Sequence, residues 1–369
     1  MAEFLYATYR IIHEKSSITT ILSELPNLET DLMFLDKLYT FSWKIALQGK
    51  KSEEKLSIRL AIPRFLINHL KSVMDSNFLQ ENLRYLNDYN KNRKIYFRIN
   101  SLADINNPKT LIKTIKSDYQ ESSIKLAEDP DIPELYYTLK KSKRIILENR
   151  YYREGKIIFQ DKASATVIYL LHPQPNELIC DLCAAPGIKT SLIAQYSKNK
   201  ARICANDISF TRLSIAQQLL TKLYVKNTLF INTDSINAPI RHDFLFDKIL
   251  IDAPCTGSGA LLTHPELKWR QSPQFLHQNV ILQDKLIHQG LELLKPGGIM
   301  LYSTCSLYPE EGELQIMKYL DNLEPLEIPK WLSPCYQINN TLIEGTGRLF
   351  PSIHNTQGFF IAKFKKKPK

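Results

Sequence analysis

The chain has 369 residues, 44% hydrophobic and 23% charged, which suffices for two or three domains and excludes long disordered tracts. A net charge of +10 favours polyanionic partners over acidic-surface binders. Six cysteines, no secretory leader and no apolar run long enough to cross a membrane predict a reduced, soluble, cytoplasmic protein with free thiols.

Apolar residues at helical spacing over 3–14 and 28–48 predict a helical N-terminal region, 1–60. Pro63 opens a further amphipathic helix, and Leu79 to Leu86 form another. At Lys91 to Asn100 the pattern switches to that of a strand. Pro108 to Ile115 reads as a helix, and Ile124 to Leu126 and Ile145 to Leu147 as short strands. Residues 61–150 are therefore expected to form a small α+β RNA-binding module with a split β-α-β pattern. Residues 51–150 carry 19 Lys/Arg against 13 Asp/Glu. Arg93, Lys94, Tyr96, Phe97 and Arg98 interleave cations with rings, the groups that contact phosphates and stack on bases. A half-buried strand with solvated charges has the same pattern.

Beyond this, strands (Leu178 to Leu182, Ala201 to Asn206, Thr228 to Asn232, Phe246 to Asp252, Ile299 to Ser303) alternate with helices (Thr190 to Tyr196, Thr211 to Leu223, Asn279 to Leu294). Such alternation predicts an α/β domain over 151–369, a mostly parallel sheet with helices on both faces, binding its ligands at the carboxyl ends of the strands. The first strand runs into Asp181-Leu182-Cys183-Ala184-Ala185-Pro186-Gly187-Ile188-Lys189-Thr190, a turn small enough for backbone N–H groups to approach a ligand. Neither G-x-G-x-x-G nor G-x-x-x-x-G-K-[ST] occurs, which favours a ligand without a pyrophosphate. Asp207, Asp234 and Asp252 end the next three strands. Each alone suits a helix N-cap; in series with Asp181 they suit a nucleoside-like ligand. Cys180 and Cys183 form a C-x-x-C without a second pair at zinc spacing, so no metal is expected.

Two further cysteines lie in Asp252-Ala253-Pro254-Cys255-Thr256-Gly257-Ser258-Gly259 and Tyr302-Ser303-Thr304-Cys305-Ser306, each just past a strand. Thiols delivered together beside a cofactor suggest covalent chemistry.

With Phe159-Gln160-Asp161, His264-Pro265-Glu266-Leu267-Lys268-Trp269, Leu294-Lys295-Pro296-Gly297-Gly298 and Gly358-Phe359-Phe360-Ile361-Ala362, these stretches resemble the Sun/RsmB-type RNA cytosine-C5 methyltransferases, over about residues 60–365. The resemblance implies a Rossmann-like domain that binds S-adenosyl-L-methionine. Cys183, Ala184, Ala185, Pro186, Gly187, Ile188 and Lys189 would wrap its methionine part, Asp207 its ribose and Asp234 its adenine edge, with Arg212 supporting the pocket and Asp252 bordering it. Ile188 departs from the family, whose members mostly carry a second glycine there, and is expected to reshape the turn without abolishing binding.

By the same resemblance Cys305 adds to carbon 6 of cytosine, which activates carbon 5 for methylation, and Cys255 assists release of the adduct. Asp252 would also face the N3 and N4 edge of the base. Lys268 and Trp269 suit either RNA contact or packing. The partner is RNA, ribosomal or transfer, with a base that can leave its stack. A non-catalytic RNA-binding or ribosome-assembly factor on the same fold is the alternative, disfavoured by the two thiols. An amino-group methyltransferase would need an Asn-Pro-Pro-Tyr-like motif, which is absent, and a DNA cytosine methyltransferase would lack the Thr304-Cys305 partner.

Overall fold

A computed structural model describes residues 7–8, 10–11, 16–25, 32–88, 93–104, 106–122, 124–237 and 245–368, in two compact units, Met1–Arg59 and Leu60–Lys369. The first unit gathers short helices, among them Ile18–Glu24 and Leu32–Tyr39, around Ala7, Ile11, Ile21 and Leu35. Ser17 caps Ile18–Glu24 by accepting from Thr20 N at 3.1 Å. Most of the predicted 3–14 helix, residues 28–31, and Lys91 and Asn92 lie outside the described residues.

The second unit opens with helices Arg64–Leu70 and Ser76–Tyr85, the latter capped by the Asp75 carboxylate, which accepts from Asn77 N and Phe78 N. A four-stranded antiparallel sheet follows, in the order β2-β3-β1-β4, built from β1 (Lys94–Ile99), β2 (Ala127–Glu128), β3 (Leu135–Leu139) and β4 (Ile157–Phe159). Helix Pro108–Glu121 covers it, burying Leu111, Ile115 and Tyr119 against Phe97, Ile99 and Tyr136.

Several expectations change here. Ile145 to Leu147 lies in helix Lys143–Glu148, with Ile146 buried and Ile145 exposed; three apolar residues carry no period that separates strand from helix. The strand role falls instead to the aromatic β3, and Ile124 to Leu126, also expected as a strand, lies just ahead of the two-residue β2 rather than in it. Phe97 and Arg98 are buried, so of the interleaved set Arg93 and Lys94 are its most accessible cations. The small sheet also takes in β4, beyond the expected limit at 150.

Arg98 fixes this module to the next layer. Its Nε donates to Gln160 Oε1 at 2.8 Å, and its two terminal nitrogens reach Gln195 and Ser191 of helix Ile188–Tyr196. Gln195 Nε2 in turn donates to Ile99 O at 3.1 Å. Burial lowers the Arg98 guanidinium to about 9.

The eight-stranded sheet has the order β10-β12-β9-β8-β5-β6-β7, with β11 also pairing with β12. Its strands are β5 (Leu178–Asp181), β6 (Arg202–Asn206), β7 (Thr228–Ile231), β8 (Phe246–Asp252), β9 (Leu294–Thr304), β10 (Leu323–Pro325), β11 (Thr346–Leu349) and β12 (Phe359–Lys366). The central five are parallel, and their apolar runs are buried, as in β8, where Ile249, Leu250 and Ile251 have no exposed surface. The chain winds outward from β5 to β7 and returns to β8 beside β5. That reversal opens a crevice at the carboxyl ends of β5 and β8. Strand β12 runs antiparallel along β9. No helix among the described residues is long and apolar enough to cross a membrane.

Candidate active site

Strands β8 and β9 are in register at Asp252 and Ser303, so the loops that follow them start side by side. The Cys255 and Cys305 sulfurs lie 3.2 Å apart, both half-buried and both free. Backbone bonds lace the loops together: Ala253 N donates to Ser303 O at 2.9 Å, and Gly259 N to Cys305 O at 3.0 Å. Gly358 N then donates to Gly259 O at 2.9 Å, tying in the segment before β12. Only glycine fits at 259, since a Cβ there would stand 2.1 Å from Gly358 O.

Beneath the thiols sits Glu311, fully buried. Its Oε1 accepts from Thr256 N at 2.9 Å and Gln283 Nε2 at 3.0 Å, and its Oε2 from Thr256 Oγ1 at 2.5 Å. Its backbone carbonyl accepts from Tyr302 OH at 2.9 Å and Thr304 Oγ1 at 3.1 Å. Arg348 and Glu313 form a fully buried ion pair at 2.6 Å, and Arg348 Nη1 donates to Ser306 O at 3.0 Å.

Asp252 joins two partners: Lys189 Nζ donates to Oδ2 at 2.6 Å and Ser303 Oγ to Oδ1 at 2.8 Å. Burial pulls the Lys189 ammonium down, but Asp252, with smaller contributions from Cys305 and Asp181, holds it above its ordinary range. The Cys255 thiol is pushed well up by its hydrogen bond with Cys305, by burial and by the charge of Glu311. Lys189, Asp252 and Cys305 line a cleft of about 650 Å³ whose other wall includes Arg93, Lys94 and Lys143 of the small module. Lys94 Nζ lies 4.1 Å over the Tyr137 ring, and Arg93 Nε is buried without a hydrogen-bond partner.

The turn after β5 makes a second, adjoining region. Gly187 takes φ +97° and starts helix Ile188–Tyr196, so one left-handed residue closes the turn; Ile188 and Pro186 line the cleft. The buried Asp207 accepts from Ala185 N at 3.2 Å and Ser209 N at 2.9 Å, while Arg212 Nη2 donates to Ala185 O at 2.7 Å. Ala184 N donates to Asn206 O at 2.8 Å. Asp181 Oδ2 accepts from Thr190 Oγ1 at 2.8 Å, whereas its Oδ1 is buried without a partner, and burial lifts this carboxyl to about 7. Cys183 is pushed well up by burial. Asp234 stands apart past β7, where its carboxylate accepts from Ile236 N at 3.2 Å.

The remaining candidates divide by surroundings. Cys180 pairs with Cys204 across β5 and β6, and their mutual hydrogen bond raises Cys180 and lowers Cys204. Lys268 is buried and donates to Leu60 O at 3.2 Å and to Asn87, a packing role, while Trp269 is 88% exposed. The sequence reading missed Glu311, and it missed Asn206, which anchors the turn before Asp234 through Thr233 N at 3.1 Å and Thr233 O at 3.1 Å. Neither residue stands in a strand-end pattern of like residues that would single it out.

A family model described as 16S rRNA methyltransferase RsmB/F matches residues 168–365. A probable ribosomal RNA small subunit methyltransferase B from Synechocystis is 36% identical over 224 residues, 58% of this chain and 49% of that protein. The 28S rRNA (cytosine-C(5))-methyltransferase of Mus musculus is 34% identical over 228 residues, 58% of this chain and 28% of that protein. The solved structure of a methyltransferase homolog protein from Pyrococcus horikoshii has a TM-score of 0.71 at 31% identity, covering 86% of this chain and 99% of that one. The chain thus spans half or less of the length of these two curated relatives.

Proposed function

Since the chain belongs to the 16S rRNA methyltransferase RsmB/F family, we propose that it methylates carbon 5 of a cytosine in RNA, using S-adenosyl-L-methionine and a covalent Cys305 adduct. The observation that carries this reading is the contact of Cys255 and Cys305 at 3.2 Å beside the Lys189–Asp252 pair. The names of the relatives support ribosomal RNA as the substrate.

The turn region fits the cofactor. Asp207 at the end of β6 and Asp234 past β7 offer carboxylates for ribose hydroxyls and an adenine amino group, and the unpartnered Asp181 Oδ1 suits the ammonium of the methionine part. Cys183 to Gly187 supply a close backbone, and Arg212 braces it through Ala185 O. When bound, the cofactor supplies an electrophilic methyl group.

Carbon 5 of cytosine is too poor a nucleophile to take that group unaided. Addition of the Cys305 sulfur to carbon 6 moves electron density onto carbon 5. Lys189 stays charged at neutral pH and its charge faces both Cys305 and Asp252. A carboxylate has about four lone-pair sites, so Asp252, holding Lys189 and Ser303, keeps acceptors free for the N3 and N4 edge of the base. As the Cys305 thiol gives up its proton and N3 takes up one in exchange, the N3–H becomes a donor to Asp252, whose negative charge stabilises the protonated ring. In the release half a base takes the carbon-5 proton, its bonding pair re-forms the 5,6 double bond, and the pair of the carbon 6–sulfur bond returns to Cys305; Cys255, in contact with that sulfur, assists this step. The cations of the small module, Arg93, Lys94 and Lys143, would hold the phosphates of the flanking strand across the cleft.

Transfer of labelled methyl from S-adenosylmethionine to isolated ribosomal and transfer RNA tests the proposal. Label at carbon 5 of cytosine in ribosomal RNA, with a denaturant-stable protein–RNA complex accumulating in Cys255→Ala, is the expected result. Absence of label from both pools would refute it.

A further inference from the structure

One buried glutamate touches the residues that flank both thiols, through its carboxylate on one side and its backbone carbonyl on the other, and the reaction above makes no use of it. Glu311 binds Thr256 through both its backbone N–H and its hydroxyl, directly after Cys255; through its own carbonyl it binds Thr304, directly before Cys305. Gln283 closes the arrangement, donating to Glu311 and also to Pro254 O at 2.8 Å, directly before Cys255. Both carboxylate oxygens therefore receive hydrogen bonds, which favour the ionised form against the burial that raises this carboxyl above its ordinary range.

We infer that Glu311 is a positioning residue for the thiol pair: it sets the contact between the two sulfurs and keeps their shared proton on Cys255, leaving Cys305 to attack. The inference rests on Cys305 being the nucleophile. Two sulfurs in contact share a proton unequally when charges of opposite sign face them from opposite sides. Glu311 faces Cys255, as does the neutral phenol of Tyr302, while the Lys189 ammonium, itself paired with Asp252, faces Cys305. Around Glu311 stand Tyr308 and Glu310, and Cys183 and Arg348 act on Tyr302. The negative end of this field disfavours a thiolate at Cys255, which leaves the Cys305 sulfur as the one to attack.

Thiol alkylation reads the proton's position without RNA or cofactor. The protein is treated briefly with iodoacetamide at pH 7, and the two cysteine peptides are quantified by mass spectrometry, with unfolding temperature measured in parallel. In the wild type Cys305 reacts faster. In Glu311→Gln the charge is lost, Cys255 gains thiolate, and the Cys305-to-Cys255 ratio falls about tenfold, the equivalent of one pKa unit. Thr256→Val keeps the charge but cuts the hydroxyl's bond to Oε2, which loosens the carboxylate's hold on the Cys255 loop, and the ratio falls by a smaller factor, about threefold. Should Glu311→Gln not fold, Thr256→Val decides the matter alone. Faster reaction of Cys255 in the wild type, or an unchanged ratio in folded variants whose unfolding temperature alone has dropped, overturns the inference. Methyl transfer measured on the same preparations separates the two claims. An altered ratio in a protein that methylates no RNA would refute the proposed function only, and normal methylation with an unmoved ratio would refute the role of Glu311 only.

Discussion

Two pairs of cysteines sit on one sheet, and they have opposite fates. Cys180 and Cys204 face each other within β5 and β6, both buried in a core of aliphatic side chains. Cys255 and Cys305 touch just past the ends of β8 and β9, where the chain leaves the sheet and a charged pair and a cleft adjoin them. The residue type is the same in both places. What differs is displacement along the strand: inside the ladder a thiol packs as a small hydrophobe, and beyond it a thiol meets solvent, cations and ligands.

Substituting each cysteine by alanine tests that contrast most directly. Cys305→Ala should lower methyl transfer by more than about a thousandfold, on the scale of losing a covalent nucleophile, as read from labelled RNA. The next largest effect concerns the support of the loops. Glu313→Ala strands the Arg348 guanidinium, which has no exposed surface, and should cost about 3–5 kcal/mol in denaturant unfolding. Asp181, the last residue of β5, lies between the two settings. Its carboxyl titrates near 7 when folded against an ordinary value of 3.8. The raised value favours folding below about pH 4, and that advantage is lost as the pH climbs through 7. The stability of Asp181→Asn relative to wild type should therefore improve over that window, by on the order of 2 kcal/mol, in thermal unfolding of the ligand-free chain. The smallest effect belongs to the interior pair: Cys180→Ala and Cys204→Ala should each cost about 1 kcal/mol and leave methyl transfer unchanged. Loss of transfer in either of these would break the comparison.

The parallel strands were legible because each is a short apolar run followed by polar or small residues, and their ends placed Asp181, Asp207, Asp252, Cys255 and Cys305 correctly at one edge of the sheet. Short elements were not. Ile145 to Leu147 went to a helix and the aromatic β3 was overlooked, since neither run is long enough to show a period. Lys189 was read with the cofactor turn, yet its four-carbon stem carries the ammonium across to Asp252, a reach that sequence spacing does not encode. Glu311 was invisible for a related reason. Its partners come from three separate segments, Thr256 and Gln283 on the carboxylate and Tyr302 and Thr304 on the backbone carbonyl, and only the folded sheet brings them to one residue.

The antiparallel strand β12 has a consequence for synthesis. It pairs with β9 from Phe360↔Thr304 to Lys365↔Ile299, and the segment leading into it closes against Gly259. A nascent chain that already contains both cysteine loops therefore presents β9 as an open edge until residue 366 has cleared the ribosome. Until then the thiols lack one wall of their cleft, and the bare edge can recruit strands from other chains. Completion of the thiol cleft and protection from aggregation thus arrive together, with the same eight residues.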